Sequence, residues 1–250
     1  MRAVILAAGR GSRLGSLGEN RPKCLVELAG TPLLDRQVAA LRRGGADEVA
    51  AVRGYRAEMI ERRGLSCFTN SRWAETNMVM SLAAAASWLR AGPVLVSYGD
   101  IFYRSELVRA LAEASGKLVV AYDRAWRHLW TRRFAEPLAD AETFRIDGDG
   151  RLLEIGARAG CMEEIEGQYM GLLKFTPDAW SAVESLLGEL EDATRDRLDV
   201  TGLLRRLLGR GELPIDTLGT DGQWGEIDNA ADVALYETMV REGELVLEDV

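Results

Sequence analysis

A glycine-rich, basic loop near the start of the sequence carries the side chains best suited to phosphate chemistry. Residues 4–6 are an apolar run typical of a buried strand, and residues 7–13 then read Ala-Ala-Gly-Arg-Gly-Ser-Arg. Small residues let backbone N–H groups approach a phosphate closely, while the arginines and the nearby Lys23 neutralise its charge. The spacing is neither GxGxxG nor a Walker A loop. The pattern predicts a nucleotide site, with an ordinary turn and surface arginines as the alternative.

Two aspartates further along the chain stand where α/β sheets bind ligands. Asp100 ends the strand-like run 94–100, and Asp228 closes the segment Trp-Gly-Glu-Ile-Asp at 224–228. Ligands of open α/β sheets bind outside the carboxyl ends of the strands, where such carboxylates would project. Aspartate is also common in turns, so each residue taken alone has two interpretations.

Residues 123–143 break the regular pattern of the chain. The side chains in this segment that could do chemistry are Trp126, His128, Trp130, Arg132, Arg133, Phe134, Asp140 and Glu142. Long irregular segments rich in aromatic and charged residues are typical of lids and binding loops. We predict that this segment covers a ligand, and that His128 is a surface histidine rather than a catalytic base.

The elements that must position these groups alternate between strands and helices, which indicates βαβ units and a largely parallel sheet. Predicted strands span residues 4–6, 48–52, 65–68, 94–100, 117–122, 144–146, 152–155, 168–175 and 214–218. Predicted helices span residues 32–43, 55–63, 78–89, 105–114, 177–190, 199–208 and 230–241. Thr31 is a candidate cap for the first helix, and Asn77 or Thr76 for the third. We expect an α/β fold in one domain over residues 1–250, with an inserted lid at about 123–166.

Composition argues against several classes of partner. With 250 residues and a net charge of −8, the chain lacks the basic surface of a general nucleic-acid binder, although a local basic cluster still suits a small anion. We expect no membrane partner and no secretory signal, because no apolar run has the required length or flanks. Cys24, Cys67 and Cys161 are widely spaced and odd in number, which predicts reduced thiols and a cytoplasmic protein. The oligomeric state is open, with a homodimer as one hypothesis.

Three motifs taken together resemble the nucleotidyltransferases of the sugar-nucleotide pyrophosphorylase type. The segment LAAGRGSRLGSLGENRPKCL, residues 6–25, is similar to that superfamily's LAAGxGxRL signature followed by PKxL. The segments YGD at 98–100 and WGEID at 224–228 are similar to its two metal-bearing segments, in the same order. The resemblance spans nearly the whole chain. It implies a Rossmann-like, glycosyltransferase-A-type fold, with a mixed, mostly parallel sheet flanked by helices.

The middle of the chain resembles a smaller branch, the cytidylyltransferases that act on small phosphonates and phosphates. The segments that carry this resemblance are ETNMVMSL (75–82), RRFAEPLADAETF (132–144), EIGARAG (154–160) and EGQYMGLLKFTPDAW (166–180). The branch includes the 2-aminoethylphosphonate, phosphoglutamine and bacterial phosphocholine cytidylyltransferases. The chain departs from the common EIGKK-like form at Ala157 and Arg158, which leaves open whether Arg158 supplies a second phosphate cation.

The resemblance implies an Mg²⁺-dependent transfer of CMP from CTP to a small phosphonate or phosphate, with 2-aminoethylphosphonate as the first choice. Asp100 and Asp228 match the metal ligands, and carboxylate oxygens suit Mg²⁺. Together with Asp100, Lys23 and Arg13 form the predicted catalytic set, because they would neutralise the triphosphate and the leaving pyrophosphate. The residues predicted to contact the nucleotide are Leu6, Ala8, Gly9, Arg10, Gly11, Asn77 and Ser81. For Arg10 and Ser81 a purely surface role is the alternative.

The predicted acceptor-binding residues are Trp126, Arg133, Asp140, Glu142 and Tyr169. An acceptor that carries an ammonium group needs a carboxylate partner, and the two acidic residues provide it. Trp126, together with Trp130, would shelter the ammonium by cation–π contact. The alternative is that these two rings only pack the lid. Arg133, or Arg132 as the alternative, would bind the phosphonate. Tyr169 would line the floor of the site.

Two other functions compete with this prediction. One is a sugar-1-phosphate nucleotidyltransferase that uses UTP or dTTP, which is disfavoured because the long loops typical of hexose recognition are not evident. The other is a catalytically silent nucleotide-binding domain. The presence of Lys23, Asp100 and Asp228 together argues against it, because a silent domain does not need the full set.

Overall fold

The computed structural model describes residues 1–250, apart from the side chain of Ser16. Its strands, in chain order, are β1 (Arg2–Ala7), β2 (Glu27–Leu28), β3 (Thr31–Pro32), β4 (Glu48–Arg53), β5 (Ser66–Thr69), β6 (Val94–Tyr98), β7 (Ile101–Phe102), β8 (Leu118–Asp123), β9 (Glu142–Ile146), β10 (Leu152–Arg158), β11 (Gln168–Phe175), β12 (Ile215–Thr220) and β13 (Gly225–Glu226). Its α-helices are α1 (Leu33–Arg43), α2 (Ala57–Glu61), α3 (Met78–Ala84), α4 (Ala86–Ala91), α5 (Ser105–Glu113), α6 (Trp126–Arg133), α7 (Pro177–Glu189), α8 (Asp192–Asp196), α9 (Val200–Arg210) and α10 (Ala230–Arg241). Short 3₁₀ turns span Ser12–Leu17, Lys23–Leu25, Pro137–Ala139 and Met162–Glu164.

The central sheet is mixed and mostly parallel, which confirms the predicted fold class. In the described part of the chain it contains seven strands in the order β12-β8-β11-β6-β1-β4-β5. Adjacent strands of this sheet run parallel to each other, except that β11 is antiparallel to both β6 and β8. Leu6 on β1 pairs in parallel with Tyr98 on β6, so the carboxyl ends of these two strands meet at one edge of the sheet.

Helices cover both faces of the sheet, because side chains along each buried strand alternate between two cores. On β1, Ala3 and Ile5 pack into the core that includes buried residues of α1, α5 and α10. Val4 on the same strand packs into the opposite core with residues of α3, α7 and α9. A strand buried on both faces reads as a continuous apolar run, which is why the run at 4–6 was recognisable in the sequence.

The segment between β8 and β11 is more regular than the sequence suggests. It contains helix α6, the 3₁₀ turn Pro137–Ala139 and an antiparallel hairpin formed by β9 and β10. The prediction of an irregular stretch over 123–143 was therefore wrong. Trp126, Leu129 and Trp130 are buried at helical spacing, and the apolar stripe was hidden because Arg133 occupies its fourth position.

Several helix ends also differ from the predictions. The predicted helix over 78–89 divides into α3 and α4 at Ala85, and Asn77 caps α3 by accepting a hydrogen bond from the Met78 N–H. Thr31 does not cap α1, because it lies in β3 and the helix starts after Pro32. Among the helices that the structure describes, none combines the length and the apolarity that crossing a bilayer requires.

Candidate active site

Three carboxylates meet at the carboxyl ends of β1 and β6. Asp100 follows β6, while Glu226 lies on β13 and Asp228 just beyond it. The strands β7 and β13 pair antiparallel, and the Asp100 carbonyl accepts a hydrogen bond from the Ile227 N–H at 2.9 Å. One oxygen from each of the three carboxylates lies within 4.8 Å of the others. The short β7–β13 ladder thus joins two carboxylate segments that are far apart in the sequence.

Glycine at position 99 permits the close approach that places Asp100. A Cβ at Gly99 would lie 2.6 Å from the Leu6 carbonyl oxygen, which is closer than real Cβ atoms come to a carbonyl. The chain after β6 therefore passes directly over the end of β1. Asp100 is brought beside the glycine-rich loop in this way, in the crevice where open α/β sheets bind ligands.

Two cations from the basic loop region contact the carboxylates. The Lys23 Nζ lies 2.5 Å from Asp100 Oδ2 and 2.8 Å from Asp228 Oδ1. The Arg13 guanidinium lies 2.7 Å from Asp228 Oδ1, and its side chain is 71% exposed whereas that of Lys23 is 14% exposed. The structure thus brings the predicted catalytic residues together. Arg13 is on the solvent side of the cluster.

A small cavity of about 90 Å³ lies next to this cluster and contains part of the predicted nucleotide set. Its lining includes Leu6, Ala8, Gly9, Lys23, Ser81 and Asp100. Ser81 is buried, and its hydroxyl accepts a hydrogen bond from the Asn70 side chain at 3.0 Å. The alternative that Ser81 faces solvent is therefore wrong, although its predicted base contact stays a prediction.

The other predicted nucleotide residues lie outside this cavity and have structural partners. The side-chain oxygen of Asn77 caps α3, and its side-chain nitrogen donates to the Arg197 carbonyl at 3.2 Å. Both polar atoms of this amide therefore have hydrogen-bond partners. Gly11 adopts a φ of 72°, and a Cβ there would lie 2.9 Å from the Lys23 Cβ. The Arg10 guanidinium lies 5.6 Å from the centre of the Tyr55 ring. Gly11 thus shapes the loop around Lys23, and Asn77 holds the start of α3, while its predicted base contact stays a prediction.

A second cavity, of about 260 Å³, lies on the other side of the carboxylates and contains most of the predicted acceptor set. The predicted residues that line it are Arg13, Trp130, Asp140, Glu142, Tyr169 and Asp228. Met78 lines both cavities, so the two adjoin. Asp199, Thr201 and Gln168 also line the larger cavity and were not anticipated.

Two predicted acceptor residues are placed elsewhere. Trp126 is 3% exposed and packs edge to face on Trp130 at 6.2 Å, so its ring belongs to the core beneath the cavity. The Arg133 side chain is 1% exposed and points at the carboxylates of Asp232, Asp228 and Glu226, at 3.1, 3.5 and 3.8 Å. Arg133 therefore neutralises the carboxylate cluster and does not line the cavity, while its predicted contact with the acceptor stays a prediction.

The chain also matches known proteins along most of its length. A family model described as a MobA-like NTP transferase domain matches residues 3–197. The chain is 33% identical over 249 residues to the CTP:phosphoglutamine cytidylyltransferase of Campylobacter jejuni, covering 93% of this chain and 98% of that protein. The chain belongs to the MobA-like NTP transferase family. The predictions of a nucleotidyltransferase family and of an enzyme are thereby confirmed.

Further known proteins match this nucleotidyltransferase over most of its length. It is 24% identical to the 2-aminoethylphosphonate cytidylyltransferase of Lancefieldella rimae, over 94% of this chain and 91% of that protein. The solved structure of the inositol-1-phosphate CTP transferase from T. maritima matches with a TM-score of 0.73 at 20% identity, covering 98% of this chain and 97% of that one. The structural match shows that the two chains share a fold.

Electrostatics in the nucleotidyltransferase site are dominated by the three partly buried carboxylates. Burial, helped by the negative charges of Asp100 and Asp228, raises the pKa of Glu226 to about 8. Burial alone would also raise the pKa of Asp228, but Lys23 and Arg13 outweigh it and hold that pKa below its ordinary value. Burial opposes the charge of Lys23, yet the neighbouring carboxylates raise its pKa overall. A cation bound at the cluster would lower the pKa of Glu226 and favour its charged form.

Glu226 is the main residue of this site that the sequence predictions missed. Residues two apart on a strand point to the same face, and Glu226 stands two positions before Asp228 in the WGEID segment. That spacing was the available signal. Asp199 and Thr201 gave no such signal, because Asp199 reads as the cap of α9 and does accept a hydrogen bond from the Gly202 N–H.

Proposed function

We propose that this nucleotidyltransferase transfers CMP from CTP to a small phosphonate or phosphate that carries an ammonium group, with the release of pyrophosphate. The observation that carries the proposal is the position of the Lys23, Asp100 and Asp228 cluster between two adjoining cavities. Such a placement suits a reaction that joins two anions across one charged centre. 2-Aminoethylphosphonate is the simplest acceptor of this class and the one that the sequence predicts.

The carboxylate cluster suits Mg²⁺. Its donors are all oxygens, which hard divalent cations prefer. Asp100 Oδ1 is buried and has no hydrogen-bond partner among the described residues, so it is free to bind a cation. We assign Asp100, Glu226 and Asp228 as the residues that hold the metal. When bound, Mg²⁺ would stabilise the negative charge that develops on the phosphate oxygens.

Transfer itself needs orientation and charge neutralisation more than proton abstraction. The acceptor's phosphonate or phosphate oxygen is already ionised at neutral pH, so it attacks the α-phosphorus of CTP without a general base. Lys23 and Arg13 would reduce the repulsion between the two anions and stabilise the departing pyrophosphate. Arg13 pairs with Asp228 here, and we infer that it moves to the phosphates when the nucleotide enters.

The smaller cavity suits the base of a pyrimidine nucleotide. Its lining combines the small residues Ala8, Gly9 and Ser81 with the charged Lys23 and Asp100, and its volume is about 90 Å³. Backbone groups can select cytosine through its N4 donor and its N3 and O2 acceptors. The relatives with 33% and 24% identity are both named as cytidylyltransferases, which favours CTP over UTP or dTTP.

The lining of the larger cavity favours an acceptor that carries a positive charge. Its lining includes the carboxylates of Asp140, Glu142 and Asp199 in addition to the metal cluster. Among the described residues that line it, Arg13 is the only arginine or lysine. Burial raises the pKa values of Asp140 and Glu142, so an ammonium partner would stabilise their charged forms.

Pyrophosphate release across a matrix of nucleotides and acceptors tests the proposal. CTP, UTP and dTTP are each combined with 2-aminoethylphosphonate, phosphocholine and glucose-1-phosphate in the presence of Mg²⁺. We expect release with CTP and the aminated acceptors. Release with UTP or dTTP and glucose-1-phosphate alone would refute the proposal, and no release with any pair would favour a silent domain.

An Asp140→Asn variant tests the acceptor site separately. Removing the charge should raise the KM for an aminated acceptor by about 10-fold, because charge-assisted hydrogen bonds contribute about 1.5–3 kcal/mol. The KM for CTP should stay near the wild-type value. Asp149→Asn is the matched control, since Asp149 lies in the exposed turn between β9 and β10. Equal effects on both substrates would remove Asp140 from the acceptor site.

A further inference from the structure

A buried amide on α1 contacts both ends of the turn that carries Asp100. This turn consists of residues 98–101 and joins β6 to β7. Gln37 is 0% exposed, and its Nε2 lies 2.6 Å from the Tyr98 carbonyl oxygen and 2.6 Å from the Ile101 carbonyl oxygen. A single side chain therefore donates hydrogen bonds to carbonyls on either side of Asp100.

The neighbours of this amide fix its orientation. Carbonyl oxygens only accept hydrogen bonds, so the nitrogen of Gln37, and not its oxygen, must face the Tyr98 and Ile101 carbonyls. The Gln37 Oε1 is buried and has no hydrogen-bond partner among the described residues. A buried oxygen without a partner costs free energy, and a methionine in the same place would have no such oxygen. The cost indicates that the two donated hydrogen bonds are the contribution of this side chain.

Further hydrogen bonds hold other backbone groups of the same turn. The Ser97 hydroxyl donates to the Tyr98 carbonyl at 2.9 Å, and the Tyr103 hydroxyl donates to the Ser97 hydroxyl at 2.9 Å. The Asp100 carbonyl accepts from the Ile227 N–H at 2.9 Å. Contacts from α1, from β6 and from the segment after β13 thus fix the backbone that carries the Asp100 carboxylate.

We propose that Gln37 is a positioning residue for the metal site, which holds the Asp100 carboxylate in place beside Glu226 and Asp228. This inference rests on the proposed function, because it requires that Asp100 binds Mg²⁺. Gln37 lines neither of the two cavities, so it acts through the backbone of the turn rather than by contact with a substrate. Removing a group that orients a metal ligand typically lowers metal affinity or activity by about 10–100-fold.

Metal binding by a Gln37→Met variant tests the inference apart from catalysis. Methionine is similar in length to glutamine but lacks both donors. Mn²⁺ is the probe, because carboxylates bind it as they bind Mg²⁺ and the EPR signal of the free ion reports the bound fraction. With no substrate present, the variant should bind Mn²⁺ about 10-fold more weakly than the wild type. No Mn²⁺ binding by the wild type would overturn both the metal assignment and the inference.

Lys174→Met is the matched control for a lost buried donor. Lys174 is also buried, and its ammonium donates to the Ala112 and Ala114 carbonyls at the end of α5. This variant should lose stability in urea denaturation and keep the wild-type affinity for Mn²⁺. If Gln37→Met likewise loses stability and keeps its Mn²⁺ affinity, Gln37 has a structural role only and the inference is overturned.

Kinetics give a second measure of positioning. In Gln37→Met, kcat should fall about 10–100-fold, because a small displacement of a catalytic group is enough for such a loss. The KM for the acceptor should stay near the wild-type value, since Gln37 does not line the acceptor cavity. A higher acceptor KM with an unchanged kcat would contradict the inference. Pyrophosphate release by the wild type decides the proposed function separately.

A double variant shows whether Gln37 acts through Asp100. In an Asp100→Asn background, Gln37→Met should change the Mn²⁺ affinity by less than about 2-fold, because the ligand that it positions is already altered. A further loss as large as in the wild-type background would overturn the inference. Gln37→Glu keeps the shape of the side chain and at most one donor, so it replaces Gln37→Met if that variant does not fold. It should also bind Mn²⁺ more weakly than the wild type, and an unchanged affinity would overturn the inference.

Discussion

An Asp100→Asn variant should lose almost all transferase activity while keeping its fold. We expect kcat/KM to fall on the order of 10³-fold, which corresponds to about 4 kcal/mol of transition-state stabilisation. Asp100 offers a buried oxygen without a hydrogen-bond partner among the described residues, and its other oxygen contacts Lys23 at 2.5 Å. The amide removes one ligand charge from the metal cluster and one partner from Lys23.

The fold should survive because Lys23 retains Asp228 as a partner at 2.8 Å. Replacing one of three close carboxylates also relieves repulsion between like charges, so the thermal unfolding midpoint should stay near the wild-type value. Asp221→Asn is the matched control, since this exposed aspartate pairs with Arg124 on the surface. A wild-type rate in Asp100→Asn would remove Asp100 from the metal site.

An Arg133→Met variant should lose stability as well as activity. The Arg133 side chain is 1% exposed and lies 3.1 Å from Asp232 and 3.5 Å from Asp228. Removing one member of a buried charge network leaves the others uncompensated, which costs about 3–5 kcal/mol of unfolding free energy. The methionine keeps the contacts with Trp130 and Phe134, so the loss reports on charge rather than on packing. Urea denaturation measures the change directly.

The adjacent Arg132 provides the comparison for this variant. It lies on the same helix, but its side chain is 28% exposed and pairs with Glu242 and Glu244 at the surface. Surface ion pairs contribute about 0–1 kcal/mol to stability. The unfolding free energy of Arg132→Met should therefore stay close to the wild-type value. Similar denaturation midpoints for the two variants would show that Arg133 does not hold the carboxylate cluster together.

Much of the scaffold was predictable because local patterns decide it. The strand at 168–175 and the helix at 230–241 have the predicted ends, since an apolar run and an Asn229 cap mark their boundaries. Helix α6 was not predicted, because burying Arg133 requires carboxylates that lie almost a hundred residues away. A charge within an apolar stripe reads as a solvent-facing residue until its partners are known.

The site was predictable to a similar degree. The sequence motifs identify Lys23, Asp100 and Asp228, and the structure places them in contact. The burial of Trp126 was not predictable, because it depends on neighbours that no local pattern specifies. The capping of α3 by Asn77 was one of the two candidates from the sequence, and the structure confirms it.

The most direct test of the proposed activity is identification of the product by ³¹P NMR. The enzyme is incubated with CTP, Mg²⁺ and 2-aminoethylphosphonate. We predict two coupled phosphorus resonances, from a phosphonate joined to CMP through an anhydride oxygen, that grow at the same rate as pyrophosphate. A coupled product that forms only from UTP or dTTP with a sugar-1-phosphate would contradict the proposal.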